Sequence, residues 1–297
     1  MNLTEFLAKT EPNLQKVILA FAESAKQIDS EIRTHSTDKA GTKNEFGEEQ
    51  LALDVAADKI IFAELEKSGV VATAASEEQS EEKALNPDGE FSTACDPLDG
   101  SSLVDVNLAV GTIFGIWKSK KLIGETGRGL VAAGYAVYGP RTTFIIAIDS
   151  APAEFTLQEN GEWKLTIEKM EIGEGKMFSP GNLRACAENK EYLALLDFWA
   201  ENGYQLRYSG GMVPDIHQIL VKGKGIFSYP GSESCPAKLR LVYECAPLAY
   251  LVEHAGGASS DLEKSILDQE IQSLEQRTVV ALGSQEEVER FEKFLTV

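Results

Sequence analysis

The sequence predicts a mixed α/β (α+β) protein in which sheets and helices form layers. It also predicts two subdomains, residues 1–167 and residues 168–297. Two observations lead to this prediction. Strand patterns dominate the middle of the chain up to about residue 167, whereas helix and strand patterns alternate after residue 170. The length of 297 residues is enough for two modest domains, each with an apolar core.

The N-terminal part begins with two helical patterns and continues with strand patterns. Apolar residues recur at helical spacing in the first two segments, and Gly69 ends the second. Asn160-Gly161 is typical of the turn of a β-hairpin. In order, we expect helices over 11–33 and 48–67, strands over 70–74, 91–95, 111–117, 129–138 and 142–148, a surface loop over 79–90, and a hairpin over 154–167.

The C-terminal part has a different pattern of apolar residues. Helix patterns there alternate with short strand patterns, which favours a second subdomain of α/β layers. We expect helices over 190–202, 214–222, 239–254 and 285–295, and strands over 225–229 and 278–282.

Charge and composition exclude several classes of function. The net charge is −19, from 47 acidic and 28 basic residues, and this disfavours nucleic acid as a partner because phosphate backbones need a basic surface. No apolar run approaches the roughly 20 residues that span a bilayer, so no membrane role is expected. The N-terminus resembles neither a secretory signal nor a transit peptide. We therefore expect a cytoplasmic protein, with a plastid location possible if a transit peptide was removed.

The four cysteines are scattered and show no Cys-x-x-Cys spacing: Cys95, Cys186, Cys235 and Cys245. This distribution indicates free thiols in a reducing compartment. A zinc site is not expected, because none of the three histidines pairs with a cysteine at ligand spacing.

The stretch Asp96-Pro97-Leu98-Asp99-Gly100-Ser101-Ser102 carries the strongest functional signal. Carboxylate oxygens suit a hard cation such as Mg²⁺, and a Gly-Ser-Ser turn that opens a helix suits a phosphate. A lone Asp-x-x-Asp would more often be an ordinary turn followed by a helix cap. The Gly-Ser-Ser continuation and the acidic pairs upstream favour metal-assisted phosphoryl chemistry.

Further acidic residues precede this motif. Glu77 and Glu78 end one predicted strand, Asp96 follows the next, and Asp54 lies on the helix before them with Glu48 upstream. Strand ends at 75 and 95 place Glu77 and Asp96 at one edge of a sheet, where ligands of open α/β sheets bind. Clustered carboxylates repel one another unless cations neutralise them. The cluster therefore predicts two or three metal ions, although Glu48 and Glu77-Glu78 alone would more often be solvated surface.

The order of these motifs resembles the lithium-sensitive, Mg²⁺-dependent sugar phosphatases, and within them the class 1 fructose-1,6-bisphosphatase family. The longest matching stretch is Lys238-Leu239-Arg240-Leu241-Val242-Tyr243-Glu244-Cys245-Ala246-Pro247-Leu248. The stretches 173–178, 180–184 and 207–215 look closer to the sedoheptulose-1,7-bisphosphatases of that family. The resemblance covers nearly the whole chain and implies the layered α-β-α-β-α fold of these phosphatases.

The resemblance also implies roles for individual residues. The metal ligands would be Glu48, Glu77, Asp96, Asp99, Glu244 and the Leu98 carbonyl, holding Mg²⁺ with Mn²⁺ as an alternative. Asp54 and Glu78 would handle the proton of the attacking water. Gly100, Ser101 and Ser102 would hold the reacting 1-phosphate. The sugar and its distal phosphate would be held by Asn182, Arg184, Arg207, Tyr208, Met212, Tyr229, Lys238 and Arg240.

The expected function is hydrolysis of the 1-phosphate of sedoheptulose 1,7-bisphosphate. Ala185 stands where fructose-1,6-bisphosphatases have a tyrosine, and with Arg184 beside it this favours a seven-carbon sugar. A fructose-1,6-bisphosphatase or a dual-specificity enzyme is the alternative, and a non-catalytic sugar-phosphate sensor is a remote one. By resemblance Arg207 would reach the active site of a neighbouring subunit, which implies a homodimer or homotetramer.

Overall fold

The computed structural model describes residues 1–34, 39–43 and 49–296. Its strands are β1 (Lys39–Lys43), β2 (Glu49–Leu51), β3 (Val71–Ser76), β4 (Lys83–Ala84), β5 (Phe91–Asp99), β6 (Val110–Trp117), β7 (Leu130–Tyr138), β8 (Thr143–Ala147), β9 (Ala153–Leu157), β10 (Trp163–Ile167), β11 (Met177–Pro180), β12 (Gln205–Leu206), β13 (Ile226–Tyr229), β14 (Ala258–Ser260) and β15 (Val280–Gly283). Its α-helices are α1 (Leu3–Phe6), α2 (Pro12–Thr34), α3 (Ala52–Ser68), α4 (Lys190–Glu201), α5 (Met212–Lys222), α6 (Ala246–His254) and α7 (Gln285–Leu295).

Several shorter helical segments complete the chain. Single turns of 3₁₀-helix cover Leu7–Lys9, Gly127–Gly129 and Ile266–Asp268, and longer 3₁₀ segments cover Ser101–Val106 and Leu183–Ala187. A π-helical segment, Leu241–Cys245, leads directly into α6. Such π segments are rare and frequently lie at functional sites.

Two sheets form the frame of the molecule. The larger has eight strands in the order β10-β9-β8-β7-β6-β5-β3-β4, and the smaller has five in the order β12-β11-β13-β15-β14. Within the larger sheet β3 and β5 are parallel, whereas the strands from β5 to β10 pair antiparallel. The chain runs through nearly all of the larger sheet before it enters the smaller one.

The buried side chains divide into three clusters that define five layers. Because successive strand residues face opposite sides of a sheet, Ala136 of β7 packs with α2 and α3, while Tyr135 packs with α5 and α6. Phe227 of the smaller sheet joins this middle cluster, and its neighbour Ile226 packs with α4 and α7 on the outer side. The order is therefore α2/α3, large sheet, α5/α6, small sheet, α4/α7, which confirms the predicted α-β-α-β-α fold.

Most predicted elements agree with the structure, and the differences have local causes. The helix predicted from residue 48 starts at Ala52, because Glu49–Leu51 pair as a strand. The helix predicted over 239–254 begins as the π segment. The strand predicted to stop at Cys95 continues to Asp99, and the predicted loop over 79–90 contains the two-residue strand β4. Strands β11 and β14 were not predicted, since four or three residues give little periodicity.

Among the described residues, none of the helices is both long and apolar enough to cross a bilayer. The division at residues 167 and 168 stays a prediction.

We predict that Phe114→Ala destabilises the fold by about 3–5 kcal/mol. Phe114 is 1% exposed and stacks on Phe21 of α2 at a centroid distance of 4.2 Å and on Phe144 at 5.6 Å. Its truncation leaves a cavity between the helical layer and the large sheet. Urea unfolding measures the effect. Val106→Ala is the control, because Val106 is 64% exposed and should change stability by less than about 0.5 kcal/mol. Equal effects of the two variants would contradict this account of the core.

Candidate active site

Parallel pairing of β3 and β5 brings the first two carboxylates together. Ser76 is the register partner of Cys95, so Glu77, which follows β3, lies beside Asp96, which is still within β5. The Glu77 N–H donates to the Cys95 carbonyl at 3.1 Å. Asp96 is 6% exposed, and its Oδ1 atom accepts the Leu98 N–H at 3.0 Å. The juxtaposition expected from the two strand ends is present.

Glu244 of the π segment supplies a third carboxylate from the middle layer. Ligand oxygens of Glu77, Asp96 and Glu244 all lie within 4.8 Å of one another. Burial raises the pKa of Asp96 well above its usual range, and the neighbouring carboxylates raise it further; burial and Glu77 do the same to the pKa of Glu244. Two buried acids and the half-buried Glu77 oppose one another's ionisation and form a donor set that fits a hard divalent cation.

Arg240 lies against this acidic group and is itself only 2% exposed. Its guanidinium forms an ion pair with Glu77 through Nη1 and another with Glu275 through Nε at 3.0 Å. Its backbone N–H donates to Glu244 Oε2 at 2.6 Å. Arg240 was predicted to contact the sugar phosphate, and the structure places it beside the carboxylates, where its charge offsets part of their repulsion.

An irregularity in β5 places Asp96 and Asp99 on one face of the large sheet. Residues three apart on a regular strand face opposite sides. Asp96 pairs with Ile113 and Asp99 with Gly111, so three steps along β5 match two along β6. This extra residue is a β-bulge at Pro97-Leu98, and it brings both aspartates to the same side.

Asp99 contacts the N-terminus of α5 rather than the three-carboxylate group. Its two oxygens accept the N–H groups of Met212 at 3.1 Å and Val213 at 2.6 Å. Burial raises the pKa of Asp99 to about 6, and these hydrogen bonds oppose the shift. Gly111 makes the contact possible, because a β-carbon there would lie 2.4 Å from Val213 Cγ1. The predicted metal ligand Asp99 therefore also joins the large sheet to the middle layer.

The Gly-Ser-Ser stretch forms the turn after β5. Gly100 has φ +78°, a left-handed conformation that suits glycine. The following helix, Ser101–Val106, is 3₁₀ rather than α, with Ser102 exposed and Ser101 half-buried. The predicted turn and helix start are present, although the helix is short.

The proposed proton-handling residues lie on two adjoining elements. Asp54 is 4% exposed and sits in the first turn of α3. Asp58, four residues later on the same face, accepts the Gln79 amide at 2.8 Å, which ties α3 to the segment that carries Glu77 and Glu78. Glu78 is half-buried. Glu48, the predicted outer metal ligand, lies outside the described residues.

The predicted sugar-binding residues lie on several separate segments. Asn182 is nearly buried and donates its amide to the carbonyls of Pro230 and Cys235, at 2.8 and 2.9 Å. Arg184 is exposed, and its charge lowers the pKa of Tyr229, which burial raises overall. Ala185 is fully buried. Of the neighbours Arg184 and Ala185, only Arg184 is therefore exposed to reach a sugar.

A second segment of this set is the strand and loop before α5. Arg207 is exposed and Tyr208 is 45% exposed. Met212 is buried, and its N–H is held by Asp99. Lys238 is exposed on the segment that leads to Arg240.

Three contributing residues were not assigned from sequence. Glu275 pairs with Arg240, and no motif marks it. Asp58 could have been found from its spacing of four residues after Asp54 on a predicted helix. Asp215 lies within the motif 207–215 and is completely buried. The motif was recognised in the sequence, but no role was assigned to Asp215.

Comparison with known proteins places this geometry in a family. The model of the fructose-1-6-bisphosphatase N-terminal domain matches residues 2–168, and that of the C-terminal domain matches residues 172–296. The chain is 49% identical to the chloroplastic sedoheptulose-1,7-bisphosphatase of Triticum aestivum, over 99% of this chain and 76% of the wheat protein. It is 46% identical to the class 1 fructose-1,6-bisphosphatase of Trichlorobacter lovleyi, over 95% of this chain and 90% of that protein.

Solved structures agree with the sequence relatives. A putative sedoheptulose-1,7-bisphosphatase from Toxoplasma gondii superposes with a TM-score of 0.94 at 36% identity, covering 100% of this chain and 98% of the other. The holo form of Leishmania major fructose-1,6-bisphosphatase gives 0.93 at 33% identity, covering 100% and 99%. Both domain models and these relatives cover nearly the whole chain, and the protein therefore belongs to the fructose-1,6-bisphosphatase family.

Proposed function

We propose that the protein hydrolyses the 1-phosphate of sedoheptulose 1,7-bisphosphate in a Mg²⁺-dependent reaction. The observation that supports this most directly is the convergence of Glu77, Asp96 and Glu244 beside the Gly100–Ser102 turn. Metal-assisted phosphoryl transfer needs carboxylates that can bind metal close to a turn that can bind phosphate. The relatives named as sugar bisphosphatases support the same reaction class.

The residues proposed to hold metal are Glu77, Asp96, Asp99, Glu244, the Leu98 carbonyl and Glu48, for two or three Mg²⁺ ions or alternatively Mn²⁺. The buried, mutually repelling carboxylates fit hard divalent cations, which favour oxygen ligands. Bound there, Mg²⁺ supplies charge neutralisation at the phosphoryl group and lowers the pKa of a water.

In the proposed reaction, Gly100, Ser101 and Ser102 bind the 1-phosphate through N–H and hydroxyl groups. Asp54 and Glu78 accept the proton of the water that attacks phosphorus. The bond between phosphorus and the sugar oxygen breaks, and that oxygen takes up one proton to become the 1-hydroxyl group. This uptake balances the proton that the attacking water gives to Asp54 and Glu78, so no net proton is gained or lost. The products are sedoheptulose 7-phosphate and inorganic phosphate.

We assign the distal end of the substrate to the remaining predicted residues. Arg184, Arg207 and Lys238 are exposed cations in a strongly acidic chain, and such cations suit a phosphate. Asn182, Tyr208, Met212, Tyr229 and Arg240 complete the proposed set. Because Asn182, Met212 and Arg240 are largely buried and hold backbone or carboxylate groups, we expect them to shape the site.

Fructose-1,6-bisphosphate is the second candidate substrate. It is favoured by the 46% identity to a protein named as a class 1 fructose-1,6-bisphosphatase, only slightly below the 49% identity to the wheat protein. Phosphate release from both bisphosphates, with and without Mg²⁺ and Li⁺, tests the function. We expect release that requires Mg²⁺ and is inhibited by Li⁺.

We also propose that the protein forms a homodimer or homotetramer in which Arg207 reaches the neighbouring active site. Support comes from the edge strand β12, where Leu206 is 59% exposed beside the exposed Arg207. The cytoplasmic location stays a prediction.

We predict that Asp96→Asn stabilises the metal-free protein by about 0.5–2 kcal/mol, the range that is common for a single stabilising substitution. The change removes the carboxyl group whose ionisation is opposed by burial and by the neighbouring acids, while the amide oxygen can still accept the Leu98 N–H. The same variant should lose most of the stabilisation by Mg²⁺, which in the unmodified protein reaches about 2.7 kcal/mol at a hundredfold excess over Kd. Thermal unfolding in EDTA and in excess Mg²⁺ measures both effects.

Asp105→Asn is the matched control, since Asp105 is an exposed acid on the 3₁₀-helix after the motif. We expect it to change neither the metal-free stability nor the response to Mg²⁺. A destabilised Asp96→Asn protein that still responds fully to Mg²⁺ would contradict the proposed metal site.

We predict that the unmodified protein has a higher kcat/KM on sedoheptulose 1,7-bisphosphate than on fructose 1,6-bisphosphate, and that Arg184→Ala reduces this preference. Loss of a charged hydrogen bond costs about 1.5–3 kcal/mol, so kcat/KM on the seven-carbon substrate should fall at least tenfold. A smaller loss is expected on the six-carbon substrate. Lys222→Ala removes an exposed cation at the far end of α5 and should leave both values unchanged. An equal fall in kcat/KM on both substrates would show that Arg184 does not determine the preference for the seven-carbon sugar.

A further inference from the structure

The loop 207–211, which precedes α5, is held firmly at both ends. At its start, the Arg207 N–H donates to the Phe178 carbonyl at 2.9 Å, and the Arg207 carbonyl accepts the Ser179 hydroxyl. At its end, the N–H groups of Met212 and Val213 donate to Asp99. Between these anchors lie Tyr208 and a Ser-Gly-Gly sequence with high intrinsic freedom.

A third anchor holds the middle of the loop. The Oδ1 atom of Asp215 accepts the Ser209 N–H at 2.9 Å, and it also accepts the Gln218 amide at 3.1 Å from the next turn of α5. Ser209 in turn contacts Gly211 through its hydroxyl group, which lies 3.2 Å from the Gly211 nitrogen. Asp215 therefore fixes the one non-glycine residue between Tyr208 and α5.

Burial of the Asp215 carboxylate lowers the stability of the fold. Asp215 is 0% exposed, and among the described residues its Oδ2 atom is buried without a hydrogen-bond partner. A buried carboxylate with an unsatisfied oxygen costs stability, whereas an exposed residue could serve an ordinary helix N-terminus without that cost. A buried aspartate at position 215 is therefore explained better by a requirement for the shape of the loop 207–211 than by the stability of α5.

We propose that Asp215 is a positioning residue that acts as a hydrogen-bond acceptor to hold the loop 207–211 in its substrate-binding shape. Tyr208 is the residue it positions most directly, since Tyr208 precedes the anchored Ser209. Burial raises the pKa of Tyr208, and the nearby Asp215 carboxylate raises it further. Asp215 does not touch the reacting phosphate in this scheme. The inference rests on the proposed function, because it assigns the loop to substrate binding.

Three variants separate this role from a general structural one. Asp215→Ala removes the acceptor and should raise KM for the preferred bisphosphate at least tenfold, with kcat within threefold of the unmodified value. Asp215→Asn keeps the acceptor oxygen and should restore KM to within threefold. Gln218→Ala, the matched control, removes the other hydrogen bond to the same oxygen and should leave KM unchanged. If Asp215→Ala does not fold, Asp215→Ser replaces it, because the serine hydroxyl is too short to reach the Ser209 N–H.

Hydrogen exchange of the loop amides tests the anchor without any substrate. We expect the Ser209 amide to exchange at least tenfold faster in Asp215→Ala than in Asp215→Asn, with the strands of the large sheet unchanged. An Asp215→Asn protein as impaired as Asp215→Ala, or a loop that exchanges at the same rate in both, would overturn the proposal. An unmodified protein inactive on both bisphosphates would instead refute the proposed function, and the exchange result would still decide whether Asp215 holds the loop.

Discussion

The contact between Asp99 and the start of α5 is the interaction on which the arrangement of the site depends. Through it a carboxylate at the end of β5, in the large sheet, holds two N–H groups of the middle helical layer. Negative charge at a helix N-terminus is favourable, so the contact stabilises α5 while fixing where the loop before it begins. The bulge at Pro97-Leu98 and the missing side chain at Gly111 both serve this contact. It therefore fixes the start of α5, and with it the end of the loop 207–211, relative to the turn after β5.

The second constraint is charge. A protein of net charge −19 that binds a doubly phosphorylated sugar must neutralise that substrate locally. The structure divides its few cations near the site into two groups. Arg240 is buried among carboxylates, where it limits their mutual repulsion, while Arg184, Arg207 and Lys238 stay exposed. Arg240 therefore neutralises the carboxylates, while the three exposed cations are the ones that we propose to bind the distal phosphate.

The periodic segments of the sequence were sufficient to predict α/β layers, and the family resemblance supplied the α-β-α-β-α order. The meeting of Glu77 with Asp96 could be predicted because neighbouring parallel strands follow simple geometric rules. It could not predict the bulge that turns Asp99 to the same face, since one extra residue in a ladder depends on the partner strand. It also missed that Arg240 lies beside Glu77, because that pair joins residues 163 positions apart in the chain. Ala185 was interpreted as added room for a longer sugar, and its complete burial arises from packing that a single sequence does not reveal.

Two glycine turns meet at the centre of the site. A β-carbon on Gly100 would lie 3.4 Å from the Gly211 α-carbon, and Leu103 packs against Gly100, Gly210 and Gly211. The two segments proposed to bind the ends of the substrate therefore lie close to each other, and the Leu103 side chain lies near the glycines of both. The distance between the two proposed phosphate-binding segments consequently depends on both turns. A side chain at Gly100 would come within 3.4 Å of the Gly211 α-carbon, so a change of sugar chain length would involve both turns together.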